Sequence, residues 1–264
     1  MHRALLLAAL VAAAPLAAAT SAAAPRALSV RGGDDASDVE LKTKDSLSLR
    51  ASYFEPKKSP QLAPGAILVH DSSGSRAELL ELADRMWKSG FAVLVVDLRG
   101  HGASASKDLD WEKLSEADQK KAWALSVKDI EAASQWLRER QEVQATNLNL
   151  VGYRAGCALA ARFALRDENV RSVVLVEPRP EQLGINVQGD LTELGGLPTY
   201  IVSCKENSAA AEAMIQEAHR AAGGNRYIEL MVCAAPAEAE QPAIERKVQA
   251  SIAKWAKEKA CPQK

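Results

Sequence analysis

The sequence predicts an α/β fold: one domain built on a mostly parallel sheet of about eight strands with helices on both faces. Three observations predict it. Short apolar runs of buried-strand type alternate along the chain with segments whose apolar residues recur at helical spacing. No internal repeat and no Pro/Gly/Ser-rich linker divides the body, which runs from residue 38 to residue 259. The chain has 264 residues, 47% of them hydrophobic and 25% charged, which suits one sizeable globular domain and excludes a disordered or collagen-like chain.

Each element follows from its local pattern. Residues 38–44 and 47–54 alternate apolar and polar side chains around Lys44-Asp45, which predicts a β-hairpin. The stretch from Pro56 to Pro64 reads as a loop, and Ala66–His70 as a buried strand. Ser75 is placed to cap a helix whose Leu79, Leu82, Ala83 and Met86 share a face and which Gly90 ends. Phe91–Asp97 is a second buried strand. Residues 118–140 have the spacing of one long amphipathic helix, with Ser115 and Asp118 as its capping box. A strand at Leu148–Val151, a helix at Ala155–Leu165, and strands at Ser172–Val176 and Tyr200–Val202 continue the alternation. The chain closes with a helix over 208–222 stopped by Gly223-Gly224, a strand at Tyr227–Val232 and a helix over 242–259.

Charge and the chain's first residues bound the partners. With 33 Lys+Arg against 34 Asp+Glu, a net charge of −1 and no long basic run, no nucleic-acid partner is expected. Residues 1–24 read as an export signal: His2 and Arg3, an apolar run from Ala4 to Ala14, Pro15, then small residues, with cleavage after Ala19 or Ala24. The run is shorter than the roughly 20 apolar residues a membrane span needs. An exported, bacterial, periplasmic or extracellular protein is therefore expected, not membrane-spanning once the signal is removed. The four cysteines, Cys157, Cys204, Cys233 and Cys261, permit disulfides in that compartment, with three connectivities open. They form no CxxC or His-spaced pair, so neither a metal nor a cofactor is expected.

Several blocks resemble the α/β-hydrolase family, in particular its dienelactone-hydrolase and serine-aminopeptidase types. Leu68-Val69-His70 followed by Gly74-Ser75 is similar to the loop that lends one amide to the oxyanion hole. The segment Asp97–Ser104 (DLRGHGAS) is similar to the one these enzymes carry after the fourth strand. Gly152-Tyr153-Arg154-Ala155-Gly156 lies between a strand and a helix, where the nucleophile elbow G-x-S-x-G belongs. Pro198–Val202 resembles the strand before the family's acid. The resemblance runs from Val39 to Trp255 and implies an α/β-hydrolase fold. It also implies that Cys204 and Cys233 end neighbouring strands, which makes them a disulfide candidate.

The resemblance further implies a triad in the order nucleophile, acid, histidine, and all three slots hold other residues. The nucleophile slot is Arg154, a guanidinium that stays protonated below pH of about 12 and has no lone pair for attack. The acid slot falls on Asn207, with Glu206 beside it as a substitute. The histidine slot falls on the run Cys233-Ala-Ala-Pro236, at Pro236, and no histidine follows His219. His70 and His101 occupy loop-shaping positions, and His219 lies within a helix. Ser72, Ser73, Ser104 and Cys157 are the candidates for a relocated nucleophile, none with an evident base.

A triad-less, non-catalytic protein with a binding or structural role is the first expectation; a carboxylic ester or peptide hydrolase with a relocated nucleophile is the second. Asp71, where such enzymes carry Gly, either faces the oxyanion position, where its charge would oppose catalysis, or turns away to cap its own loop. Arg154 either pairs with Asp71, Glu177 or Glu206, or combines with the helix N-terminus at Ala155 and with Ser72 to hold a small anionic ligand. The sequence specifies no protein partner.

Overall fold

The computed structural model describes residues 35–222, 227–234 and 244–260. The expected export signal, the Gly223-Gly224 stop, Pro236, the first residues of the last helix and Cys261 lie outside them.

The first pair of strands, β1 (Ser37–Lys42) and β2 (Ser48–Phe54), forms the expected antiparallel hairpin. β2 then pairs antiparallel with β4 (Ala92–Val96). From β4 onward the sheet is parallel through β3 (Ala63–Val69), β5 (Val143–Tyr153), β6 (Val170–Val176), β9 (Thr199–Cys204) and β10 (Ile228–Cys233). The order of this eight-stranded sheet is β1-β2-β4-β3-β5-β6-β9-β10. The remaining strands, β7 (Glu181–Gln182) and β8 (Ile185–Asn186), make a separate small hairpin.

Alternate residues of each strand feed two cores. Ile67, Leu94, Leu150, Leu175 and Ile201 face one side. That side is covered by α2 (Glu116–Leu125), α3 (Val127–Arg138), α4 (Gly156–Ala164), α5 (Val187–Glu193) and α6 (Ser208–Ala221). Leu68, Val95, Val151, Val174 and Val202 face the other, against α1 (Leu80–Lys88) and α7 (Arg246–Ala260). Both faces of the central strands are buried, which is why they read as continuous apolar runs rather than as alternating ones.

Two expectations need correction, and one stretch without an expected element is filled. Residues 118–140 are not one helix: α2 and α3 meet at Ser126, whose buried hydroxyl bonds back to the Ala122 carbonyl at 3.0 Å and competes with the helical ladder. β3 begins at Ala63, inside the expected Pro56–Pro64 loop; β4 joins only at Gly65, so Pro64 sits at a strand start where its missing N–H is tolerated. The stretch between Val176 and Thr199, to which local pattern assigned no element, contains β7, β8 and α5. Its signals were in the sequence: Leu183-Gly184 turns at φ 49° and 80°, and Asn186 caps α5 by accepting from the Gly189 amide at 2.9 Å. Among the described residues no helix is long and apolar enough to cross a membrane.

Candidate functional site

The bend from β5 into α4 keeps an elbow geometry. A Cβ on Gly156 would fall 2.4 Å from the Val69 carbonyl oxygen, and one on Gly152 would fall 2.6 Å from the Cα of Cys157. Both positions therefore demand glycine for packing against β3 and within the turn itself. Arg154 at the tip has φ 48°, the left-handed region that a non-glycine residue enters at a cost. Its amide donates to the Val176 carbonyl at 2.8 Å, which holds the tip against β6.

The strained tip presents a guanidinium. It lies over the Tyr153 ring, with Cζ 5.2 Å from the centroid, and its Nη1 is 3.9 Å from Asp71 Oδ2. The side chain is 53% exposed, so this is a loose, solvent-screened pair.

Asp71 settles the alternative left open by the sequence. Its Oδ1 accepts from the Ala155 amide at 3.1 Å, and its Oδ2 accepts from the Ser73 hydroxyl at 2.7 Å. In this fold the amide of the residue after the nucleophile stabilises the oxyanion. Here that amide is Ala155 N–H, and an internal carboxylate already occupies it. Glu78 completes the cluster: its Oε2 accepts from the Asp71 amide at 3.4 Å, and burial, with the Asp71 charge nearby, raises its carboxyl to about 6.

The acid region is closed in a similar way. Glu177, at φ 58° after β6, accepts from the Cys204 amide through Oε1 and from Asn207 Nδ2 through Oε2 at 2.9 Å, and the Cys204 thiol lies 3.6 Å from the same Oε2. Asn207, in the acid slot, is thus a donor fixing a neighbouring glutamate. Glu206 is exposed beside it.

The other nucleophile candidates are occupied or remote. Cys157 is fully buried, donates toward the Gly152 and Val176 carbonyls at 3.2 Å each, and burial pushes its thiol well above the ordinary range. Ser104 is buried and donates to the Asp97 carbonyl at 2.7 Å. His70 bridges two loops: Nδ1 bonds the Asp71 carbonyl at 2.6 Å and Nε2 accepts from the Leu98 amide at 3.1 Å, while burial lowers its pKa to about 3. That fixes a neutral ring with the proton on Nδ1. His101 spans the Arg99 and Ser72 carbonyls at 3.0 and 2.9 Å. His219 lies in the last turn of α6, away from the end of that helix which follows β9.

Cys204 and Cys233 stand opposite each other in register, as the resemblance implies, but they are not bonded and both thiols are free. The reason lies in where each sulfur points: Cys204 toward Glu177 and Asn207, Cys233 toward the Ser203 carbonyl at 3.6 Å. No group of His, Cys, Asp and Glu suited to a metal ion occurs among the described residues.

The residues singled out from the sequence, Arg154, Asp71, Ser72, Ala155, Glu177 and Glu206, all line one cleft at the carboxyl edge of the sheet, about 690 Å³ in volume. The small hairpin and the chain before α7 contribute walls that sequence reasoning missed, notably Glu181, Gln182, Leu183, Ile244 and Glu245. Nothing in local periodicity tells that these segments reach the elbow.

An elbow between a parallel strand and a helix, with a cleft beside it at the carboxyl edge, defines an α/β-hydrolase-fold protein. The family model of the dienelactone hydrolase family matches residues 49–222, and the chain belongs to that family. An esterase of Pyrococcus furiosus superposes with a TM-score of 0.65 at 16% identity, covering 85% of this chain and 91% of the esterase. A dienelactone hydrolase of Anabaena variabilis superposes with a TM-score of 0.62 at 18% identity, covering 85% of this chain and 97% of that one. These likenesses concern the fold. A curated relative, an uncharacterized protein of Mycobacterium tuberculosis, is 27% identical over 129 residues, 49% of this chain. The match spans 41% of that relative's own length.

Proposed function

We propose that this chain is an exported member of the dienelactone hydrolase family that no longer cleaves esters or peptides and whose cleft performs no covalent chemistry. The observation that carries this reading is the Asp71 carboxylate seated on the Ala155 amide. A negative charge fixed at that amide opposes the developing oxyanion of acyl transfer, where removal of even one donor costs about 10²–10³ in rate. Arg154 at the tip supports it, because a guanidinium is no nucleophile. Asn207 in the acid slot supports it further, since it donates to Glu177 and is not itself a carboxylate that could orient a base. Export rests on the apolar, small-residue pattern of residues 1–24.

An anionic ligand, the partner expected from the sequence, would meet the half-exposed Arg154 guanidinium but find the Ala155 amide already held by Asp71. A second reading draws on one contact: Ser73 donates to Asp71 at 2.7 Å, a hydroxyl beside a carboxylate. That carboxylate's other oxygen is held by the Ala155 amide, and the Arg154 guanidinium lies 3.9 Å from the oxygen that Ser73 meets. The test is turnover of p-nitrophenyl esters by the purified protein, its Ser73→Ala variant and its Arg154→Ser variant. The expected result is no turnover by any of them. Turnover by the parent that Ser73→Ala abolishes establishes the second reading, and turnover gained by Arg154→Ser contradicts the account of the other slots.

A further inference from the structure

We propose that β10 is a dimer interface: two copies of this chain pair their β10 strands antiparallel about a twofold axis at Leu230, joining two eight-stranded sheets into one. The proposal concerns the far edge of the sheet and holds whether or not the elbow is catalytic.

The two edges of the sheet are built differently. β1, at one end of the order, carries Asp38, Glu40 and Lys42, and Arg50 of β2 pairs with both acids. Charged residues of this kind are one way an edge strand resists pairing with another chain. β10, at the other end, reads Ile-Glu-Leu-Met-Val-Cys, with no proline and no lysine. Its register with β9 runs unbroken, so no bulge twists the edge away. Val232 on the strand is 47% exposed, and Tyr227 just before it is 62% exposed. The one charge of β10, Glu229, is matched within the chain by Lys259 Nζ at 2.8 Å. With a net charge of −1 per chain, two copies meet with little overall repulsion.

The backbone decides the occupant. The Thr199 amide donates to the Tyr227 carbonyl at 2.8 Å and the Lys205 amide to the Cys233 carbonyl at 2.9 Å, so the odd-numbered residues bond toward β9. Successive residues of a strand turn their N–H and C=O to opposite sides. Those of Ile228, Leu230 and Val232 therefore point to the outer edge, where no strand pairs with them among the described residues. This outward set is symmetric about Leu230, and a twofold interface requires such a patch that complements itself. Centred there, Leu230 exchanges both hydrogen bonds with Leu230 of the partner subunit, and Ile228 does so with Val232 of the partner subunit. Every outward N–H and C=O of β10 is then satisfied. Ile228 and Leu230 pack on the α6 side of the sheet, and Val232 alternates onto that side with them. The pairing thus carries an apolar stripe across the axis. Glu229 comes to stand opposite Met231 of the partner subunit. A two-residue slip one way would set Glu229 against its own copy, and a slip the other way would carry Ile228 past the end of β10.

The test is the mass of the full chain in sedimentation velocity at micromolar concentration. The expected mass is twice the 28.3 kDa of one chain. Val232→Lys alters an exposed side chain and sets a charge opposite Ile228 of the partner subunit. It should weaken the dimer roughly tenfold or more with an unchanged circular dichroism spectrum. Glu40→Ala, on the opposite edge, should leave the mass as it is. The register is read with Tyr227→Cys, because position 227 stands opposite Cys233 of the partner subunit, a free thiol. Mild oxidation should join the two in an intermolecular disulfide, located by peptide mass. A single-chain mass throughout overturns the proposal, and slow amide exchange over 228–232 in that monomer would assign the edge to another segment of the same chain. A dimer that Val232→Lys leaves intact also overturns it, and so does a Tyr227→Cys dimer in which that sulfur does not reach Cys233.

Discussion

Arg99 and Arg154 both follow strands at the carboxyl edge of the same sheet, and their surroundings could hardly differ more. The side chain of Arg99 is 3% exposed and makes hydrogen bonds to both oxygens of the fully buried Asp129, the shortest at 2.6 Å, with a further bond to Asp45 at 3.0 Å. Its amide also donates to Asp129, at 2.9 Å. Arg154 is half exposed, at 3.9 Å from Asp71. One arginine is part of the architecture of the loop after β4. The other stands where the fold would place a reacting group. A buried, multiply bonded charge fixes a loop, whereas a loosely paired charge on a strained, glycine-flanked tip leaves the backbone of the elbow intact and alters only what that elbow presents.

The comparison breaks most visibly in stability. Asp129→Ala leaves a buried guanidinium with Asp45 as its one remaining carboxylate and should cost about 3 kcal/mol in urea unfolding, whereas Arg154→Ala should cost less than about 1 kcal/mol. Similar losses in the two variants would show that the elbow pair is as architectural as the buried one. Gly156→Ala comes next: its Cβ would meet the Val69 backbone oxygen, which cannot swing aside as a side chain can. A loss of about 1–3 kcal/mol is expected, read as a lower unfolding midpoint.

Two titrating groups at the elbow give smaller effects of opposite sign. Glu78 has its folded pKa raised to about 6, so the folded state holds the proton more tightly than the unfolded chain. Its contribution is full below the ordinary value of 4.5 and is lost as pH rises through 6. Glu78→Gln should therefore stabilise the protein at pH 8 by about 1 kcal/mol, discounted for partial exposure, and flatten the slope between pH 4.5 and 6. His70, lowered to about 3 by burial, behaves in reverse: its contribution is present above 6.5 and is lost as pH falls toward 3. Nitrogen NMR at pH 5 should still show a neutral His70 ring. A charged ring at that pH would mean that the loops it joins are looser than the Leu98 and Asp71 contacts indicate.

Much of this was legible in the sequence because it is written in local pattern. The apolar runs of β3, β4 and β6, the Ser115 cap with its 3.2 Å bond from the Asp118 amide, and the glycines of the elbow are each short-range features. The break at Ser126 was hidden because α2 and α3 continue one periodicity, and only a buried hydroxyl bonded to its own helix interrupts it. The decisive contact of the site was beyond reach for another reason. Asp71 and Ala155 are 84 residues apart, and a side-chain oxygen meeting a particular amide depends on a rotamer that no spacing rule encodes. Gln182 was missed because its hairpin is two residues per strand, too short for periodicity to register.

The central claim is that the oxyanion amide is occupied and the elbow carries no nucleophile. Its most direct test is the intact mass of the purified full chain after incubation with a fluorophosphonate. The account predicts an unchanged mass under conditions that label an active serine hydrolase completely. A stoichiometric adduct mapping to Ser72, Ser73 or Ser104 would contradict it.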